Sequence, residues 1–241
     1  MNQFNDRCGE IIFDNHGVAM KIIDYKNNKD ITIEFQDEHK YKKRTTYEAF
    51  KNKRIKNPYR KSFYGIGYKG EGKYNISSKY GSLWSNMLAR CYHRENEKNY
   101  YQICEVCKEW LNFQTFAKWC DDNYKKGWFL DKDILKKGNK IYSPDNCRFV
   151  PREINNLFTN RSNFRGDYPV GVSKHKDKYT AQCNINGVRT TLGVFDNVED
   201  AFLCYKNNKE KEIKRLANKY KSVISHDIYT SMINWTIDMN D

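Results

Sequence analysis

The stretch LDKDILKKGNKIYSPDNCRFVPREINNLF, Leu130 to Phe158, decides how the middle of this chain is read. It predicts a short strand, a turn, a second short strand and then a helix. Ser143-Pro144-Asp145-Asn146 is a turn sequence in its own right. Pro151 suits the first turn of a helix, where its missing N–H costs nothing. A helix starting there carries Asn155 on its second turn, able to face back toward the first strand, with Asn156 as the alternative one position on. Hydrogen-bonding and metal-capable side chains, Asp131, Asn146 and Asn155, then sit where the three elements converge. The alternatives are that Asn146 only serves its turn and that Asn155-Asn156 only ends a short helix. Lys132, a cation, lies next to Asp131.

Upstream, Tyr80 to Phe129 has helical periodicity. Leu83, Trp84, Met87, Leu88 and Cys91 form one apolar face, and Trp110, Phe113, Phe116, Ala117 and Cys120 form another. The polar loop HRENEKNYYQICEVC separates the two predicted helices. The first fifty residues alternate as strands do in GEIIFDN, AMKIIDYK and DITIEFQD, with a further strand expected in YKKRTTYEAF. These predict a small antiparallel barrel or sheet over about Cys8 to Ile55. Between them, residues 51–80 carry nine Lys or Arg against one Glu, interleaved with tyrosines and four glycines. Such a segment is either a solvated linker or a strap along a phosphate backbone.

Downstream, a basic linker, TNRSNFRGDY, precedes three short strands in VGVSKHKDKYTAQCNINGVRTTLGVFD. Turns are expected at His175–Lys178 and Ile185–Val188, the second holding an Asn-Gly hairpin signal. A helix from about Val198 to Lys221 follows. Its apolar positions Val198, Ala201, Phe202, Tyr205, Ile213, Leu216 and Tyr220 would pack on one sheet face. The last twenty residues read as a short amphipathic tail. The expected organisation is α+β: a small β-rich domain over 1–56, a basic linker over 57–79, a helical plus strand–strand–helix domain over 80–160, a linker over 161–168, a three-stranded sheet packed on one helix over 169–221, and a tail over 222–241.

The chain has 241 residues, 43 Lys and Arg against 30 Asp and Glu, and a formal net charge of +13. With a pI near 9.2 and a mean hydropathy of −0.94, that balance points to a polyanionic partner. No apolar run approaches the ~20 residues of a membrane span, and the N-terminus lacks a signal-peptide pattern. A cytoplasmic protein without a membrane partner is expected, its eight cysteines reduced thiols or metal ligands. Cys91, Cys104, Cys107 and Cys147 could hold a structural Zn²⁺, with His93 as a substitute ligand, although their spacing is irregular and buried cysteines are often plain core residues.

The 170–221 module resembles the Apetala/ethylene-response-factor type of DNA-binding domain. The resemblance rests on GVSKHKDKYTAQ, the LGVF turn and the VEDAFLCYK helix start, about a fifth of the chain. It implies a sheet laid in the DNA major groove with the helix behind it. Carried over position by position, the DNA-facing residues would be Ser173, His175, Gln182, Asn184, Arg189 and Thr191, with Lys174, Lys176 and Lys178 near phosphates. Strand alternation independently puts Gln182 and Asn184 on one face, with Ala181 and Cys183 on the other. The plant members carry several arginines and tryptophans on this face where most residues here are smaller or uncharged. A different target sequence or weaker binding is therefore expected.

The Leu130–Phe158 segment resembles the HNH (ββα-metal) endonucleases, above all phage-encoded ones, through LDKDIL, YSPDNCRFVP and INNL. With its helical approach the resemblance covers residues 80–160. It implies Asp131 and Asn155 as ligands of Mg²⁺ or Mn²⁺, Asn146 as the central asparagine, and Lys132 in the position of the family's catalytic His. Lysine is a poor base unless desolvated or pressed by other positive charge. Lys132 would then contact a phosphate or the transition state, and Asp133, Tyr142 or a metal-bound hydroxide would have to act as base. The expectation is a sequence-specific binder of double-stranded DNA, either a homing-type endonuclease or nickase in a phage-infected cell, a homodimer if it cuts both strands, or a retired nuclease acting as repressor or architectural protein. A third class, a phage inhibitor of a host nucleic-acid enzyme, has no residue pointing to it.

Overall fold

A computed structural model describes residues 6–93, 104–158 and 167–241 of the chain. Most of the polar loop before Cys104 and of the basic linker after Phe158 lies outside the described residues. The fold is α+β, with several small sheets and six helices among the described residues. It divides into two compact units, the first running to Leu88 and adding Lys108–Ala117, the second comprising Ala89–Cys107 and Lys118–Asp241.

In the first unit, β1 (Ile11–Phe13), β2 (Ala19–Asn27), β3 (Asp30–Phe35) and β4 (Lys42–Thr45) form an antiparallel meander in sequence order. Alternation drives it: Met20, Ile22, Ile31, Ile33 and Phe35 point to one side and are fully buried. The segment YKKRTTYEAF, expected as one strand, divides at Thr46. The Thr46 hydroxyl accepts from the Ala49 N–H at 3.2 Å, capping α1 (Tyr47–Lys51), and Phe50 drops into the core.

The segment expected as a linker is pinned. Tyr68 donates its N–H to the Leu111 carbonyl and accepts from the Phe113 N–H, at 2.9 and 3.0 Å. Gly67 lies against α2 (Lys79–Tyr92) so closely that a Cβ would meet Leu88 Cδ1 at 2.5 Å. Trp84, fully buried, donates its indole N–H to the Trp110 carbonyl at 2.6 Å, with its ring against Phe63 and Phe113. Phe113 opens α3 (Phe113–Asn123). Phe63 and Tyr68 of this segment are therefore half-buried packing residues, while Tyr64 stays exposed.

In the second unit, β5 (Glu105–Val106) pairs in parallel with β7 (Ile141–Tyr142), and β6 (Trp128–Asp131) pairs antiparallel with β8 (Arg148–Pro151). The helix α4 (Arg152–Phe158) follows without a break, completing a strand–strand–helix unit. Next come β9 (Val172–His175), β10 (Lys178–Ile185) and β11 (Val188–Phe195), in spatial order β11-β10-β9. The Asn186-Gly187 turn has φ of 52° and 80°, the pair of positive values a two-residue hairpin favours. Behind the sheet runs α5 (Val198–Tyr220), capped by Asn197, and beyond it α6 (His226–Ile233) occupies the stretch expected as a tail.

One hydrophobic core joins the strand–strand–helix unit, the β9–β11 sheet, α5 and α6. Ile134, Val150 and Ile154 from the strand–strand–helix unit pack with Ala181 and Cys183 of the sheet, with Ala201, Ile213 and Leu216 of α5, and with Ile228 and Met232 of α6. Three buried apolar residues from a strand pair, its loop and a two-turn helix make no adequate core alone. The stripe of α5 completes it.

Glu212, only 5 % exposed, ties the sheet to this helix. Its carboxylate accepts from the Asn186 N–H at 3.0 Å and from Arg215 at 2.7 and 2.8 Å. The Arg215 hydrogen bond, opposed by burial, holds its pKa below the usual glutamate value. A depressed acid stabilises the fold above its unfolded pKa, and that contribution is lost as pH falls through the folded value. Glu212→Ala is expected to cost about 1–3 kcal/mol in urea unfolding at pH 7. The difference from the parent should shrink below about pH 4.5. An unchanged difference at pH 3 would contradict this role.

Candidate functional site

Two places carry chemistry: the outer face of the β9–β11 sheet, and the loop between β6 and β8. On the sheet, pairing fixes which side chains share a face. Asn184 stands opposite Arg189, Gln182 opposite Thr191, Thr180 opposite both Val194 and Ser173, and Lys178 opposite His175. A bulge between Ala181 and Gln182 absorbs Leu192 and keeps the alternation in step. Ser173, His175, Gln182, Asn184, Arg189 and Thr191 therefore come together on the face turned away from α5. Ala181 and Cys183 face the core, fully and almost fully buried.

Arg189 is held across the strands. Its Nε and Nη2 donate to Gln182 Oε1 at 3.0 and 2.6 Å, while the Gln182 amide donates to Thr191 Oγ1 at 3.4 Å. Two of the five guanidinium N–H groups are used, so the side chain is aimed and still able to donate. Of the three lysines expected near phosphates, Lys178 lies on the outer face, ion-paired with Asp196. Lys176 sits in the turn with φ of 54°. Lys174 falls on the opposite face, its ammonium 5.8 Å from the centre of the Tyr179 ring, because it pairs with Tyr179 in register.

In the β6–β8 loop, Asp131 ends its strand opposite Arg148. Its Oδ1 accepts from the N–H groups of Asp133 and Ile134, both at 2.8 Å, closing the turn that follows. Burial pushes its carboxyl up to about 6, against the pull of those two N–H groups. Lys132, 8 % exposed, donates to Asp133 Oδ1 at 2.7 Å and to the Asn139 carbonyl at 2.6 Å. Burial alone would lower its pKa, but the Asp133 hydrogen bond and charge outweigh burial and leave it raised. A lysine so placed is a fixed ammonium with no lone pair to accept a proton. Of the candidate bases, Asp133 is paired with Lys132, and Tyr142 is buried, which pushes its phenol further up.

The loop is braced by Asn139, which the motif reading did not single out. Its amide donates to the carbonyls of Lys132 and Ile141 at 2.8 and 2.9 Å, and its oxygen accepts from the Ile141 N–H at 3.2 Å. The one signal in the sequence was an asparagine following Gly138, which takes φ of 71°. Asn146 plays a lesser part: its amide reaches the Ile141 carbonyl at 3.3 Å and its N–H reaches Ser143 Oγ at 3.3 Å. Asn155 is half-buried on the second turn of α4, and Asn156 is exposed.

As a metal site, this offers one carboxylate, Asp131, and the amide of Asn155. Among the described residues, no three His, Cys, Asp or Glu side chains gather as a metal-holding group. Magnesium is commonly held by one or two carboxylates plus water and substrate phosphates, so Asp131 could supply a first ligand only in company with DNA. The cysteines considered for zinc are buried apart from half-buried Cys107. Burial holds the Cys91 thiol up at about 12, with the neighbouring Cys104 adding to the effect, and raises Cys147 likewise. Thiols held protonated are poor ligands until a metal displaces the proton.

Comparison of the chain with known protein families, curated proteins and solved structures finds no match.

Replacing Asn139 with Ala leaves the buried Lys132 carbonyl without its donor and takes one of two donors from the Ile141 carbonyl. Asn139→Ala is expected to destabilise the chain by about 3 kcal/mol in urea unfolding. It should also speed amide exchange at Ile141, Asp133 and Ile134 as the loop loosens. Exchange at those amides unchanged from the parent would contradict the brace.

Proposed function

We propose that this chain is a sequence-specific binder of double-stranded DNA that reads the major groove with β9–β11. The carrying observation is the register that gathers Ser173, His175, Gln182, Asn184, Arg189 and Thr191 on one solvent-facing surface. A twisted antiparallel sheet fits the major groove, and these side chains suit its edges. Arg189 would pair a guanine, Gln182 or Asn184 an adenine. Val194, 61 % exposed beside Thr180, would meet a thymine methyl. The net charge of +13 supplies the sequence-independent attraction.

In this reading the strand–strand–helix unit supports binding and does not cut. The fixed Lys132 ammonium, held by Asp133 and the Asn139 carbonyl, stands where the resembled nucleases carry their base. One observation favours a second reading, a Mg²⁺- or Mn²⁺-dependent nickase: among the described residues, no donor reaches Asp131 Oδ2, which leaves it available to a metal. In that case Asp131 and Asn155 would hold the ion, which would polarise the scissile phosphate.

Selection from random duplexes should yield one preferred site. Arg189→Ala should weaken binding to it by about 1–3 kcal/mol and relax preference at a single guanine. Binding should fall with salt at a log–log slope of about −0.9 per phosphate neutralised. Incubation of that site with Mg²⁺ or Mn²⁺ should leave both strands intact. A nick that disappears in Asp131→Ala would establish the second reading, and absence of any preferred duplex would overturn the first.

A further inference from the structure

Beside the reading face, within the second unit, lies a half-open groove of about 960 Å³. One wall is the end of β10 beyond its pairing with β9, Gln182 to Asn184, with the Gln182 N–H bonded to the Gly171 carbonyl, and the other is the loop around Gly138–Lys140. The floor is α5, through Tyr205, Lys209 and Ile213. These three recur at helical spacing on the buried side, and Tyr205 and Ile213 are core residues at 7 % and 0 % exposure. Lys209 thus occupies an apolar position in the stripe that organises the whole unit.

A lysine in that position is costly, because its ammonium loses water. Among the described residues, no carboxylate forms an ion pair with Lys209, and the Glu212 charge acts on it only at longer range. The two acids that follow it on the helix are committed elsewhere, Glu210 to Lys206 and the Ile237 N–H, and Glu212 to Arg215 and the Asn186 N–H. Burial accordingly holds the Lys209 pKa below the ordinary lysine value. Two other groove lysines are neutralised, Lys132 by Asp133 and Lys137 by Asp238 and Asp241. Lys209 therefore presents an ammonium without an ion-pair partner among the described residues, in a cleft whose polar wall, Gln182, Asn184 and Arg189, continues onto the reading face.

The ligand chemistry follows from size and charge. Clefts of about 300–1,000 Å³ take small ligands or a few nucleotides, and a duplex is too wide to enter. A compact ammonium point charge suits a phosphate oxygen. Aromatic side chains in the lining, Tyr168 and the half-buried Phe158–Trp235 pair, offer ring surfaces for bases to lie against. We propose that this groove binds a short single-stranded DNA segment, with Lys209 holding one of its phosphates, next to the duplex bound on the sheet. This rests on the duplex-binding reading for its context and can fail independently of it.

The test uses the full chain and fluorescence anisotropy with two labelled probes: an oligothymidylate of about twelve nucleotides, and the selected duplex. Lys209→Met should weaken oligothymidylate binding by about tenfold and leave duplex binding within about twofold. It should also raise the thermal midpoint, since an apolar side chain replaces a buried ammonium. Lys209→Arg should keep most of the oligothymidylate affinity. Arg189→Ala serves as the converse control, weakening the duplex more than the oligothymidylate. The inference is overturned if the parent chain does not bind oligothymidylate, if Lys209→Met leaves that binding unchanged, or if both probes weaken together. It is also overturned if thymidine monophosphate at equal phosphate concentration displaces the strand completely, which would make the groove a mononucleotide site. Loss of duplex binding alone, with oligothymidylate binding intact, would instead count against the reading of the sheet.

Discussion

Burial of the apolar stripe of α5 is the constraint on which the second unit depends. A three-stranded sheet with one greasy face, a hairpin followed by a two-turn helix, and the short α6 each lack partners of their own. Ala201, Ile213 and Leu216 of α5 meet Ala181 and Cys183 on one side and lie in the same cluster as Val150, Ile154, Ile228 and Met232. Each fully buried aliphatic side chain contributes on the order of 1.5–3 kcal/mol, so no one of these segments can be removed without exposing the others. Glu212 adds direction to this burial by fastening the Asn186-Gly187 turn to the helix. That fixes the end of β10 and β11 from which Asn184 and Arg189 project.

The same core constrains the β6–β8 loop. Ile134 is fully buried within it, so the chain must leave β6 through a tight turn, and Asp131 spends one carboxylate oxygen closing that turn. Lys132 is then directed inward, where Asp133 and the Asn139 carbonyl satisfy its ammonium. A histidine there could exchange a proton near neutral pH, whereas a lysine whose pKa is raised cannot. On the proposed reading, whether the chain would cut DNA or only hold it comes down to how one cation is solvated. We favour holding, because every acceptor around Lys132 stabilises its charged form.

Much of the fold was legible because it follows period and punctuation. The alternation in AMKIIDYK and DITIEFQD, the Asn-Gly hairpin and the span of α5 all reflect local rules that tertiary packing did not override. The face of β10 and β11 was readable for the same reason, since strand alternation sorts Gln182 and Asn184 from Ala181 and Cys183. What escaped was non-local. Residues 57–79 looked like a solvated basic strap because their charge is visible, while the packing of Gly67 against Leu88 and Trp84 is not. Lys174 was grouped with its neighbours by composition, but pairing with Tyr179 turns it to the other face. Asn139 and Glu212 were overlooked because each acts on backbone groups, and a sequence does not announce which carbonyls will need a donor. YKKRTTYEAF does supply a strand, β4, but the threonine helix cap that ends it is hidden among β-branched and aromatic residues.

The account stands most directly on where duplex DNA touches the chain. Amide hydrogen exchange of the full protein, with and without the selected duplex, locates that contact without any substitution. Protection should concentrate on Val172–Phe195, at the turn and outer-face positions around Lys176, Gln182, Asn184 and Arg189, with a smaller effect in the β6–β8 loop. Protection confined to the N-terminal meander, Ala19–Thr45, or none at any strand of the β9–β11 sheet, would contradict it.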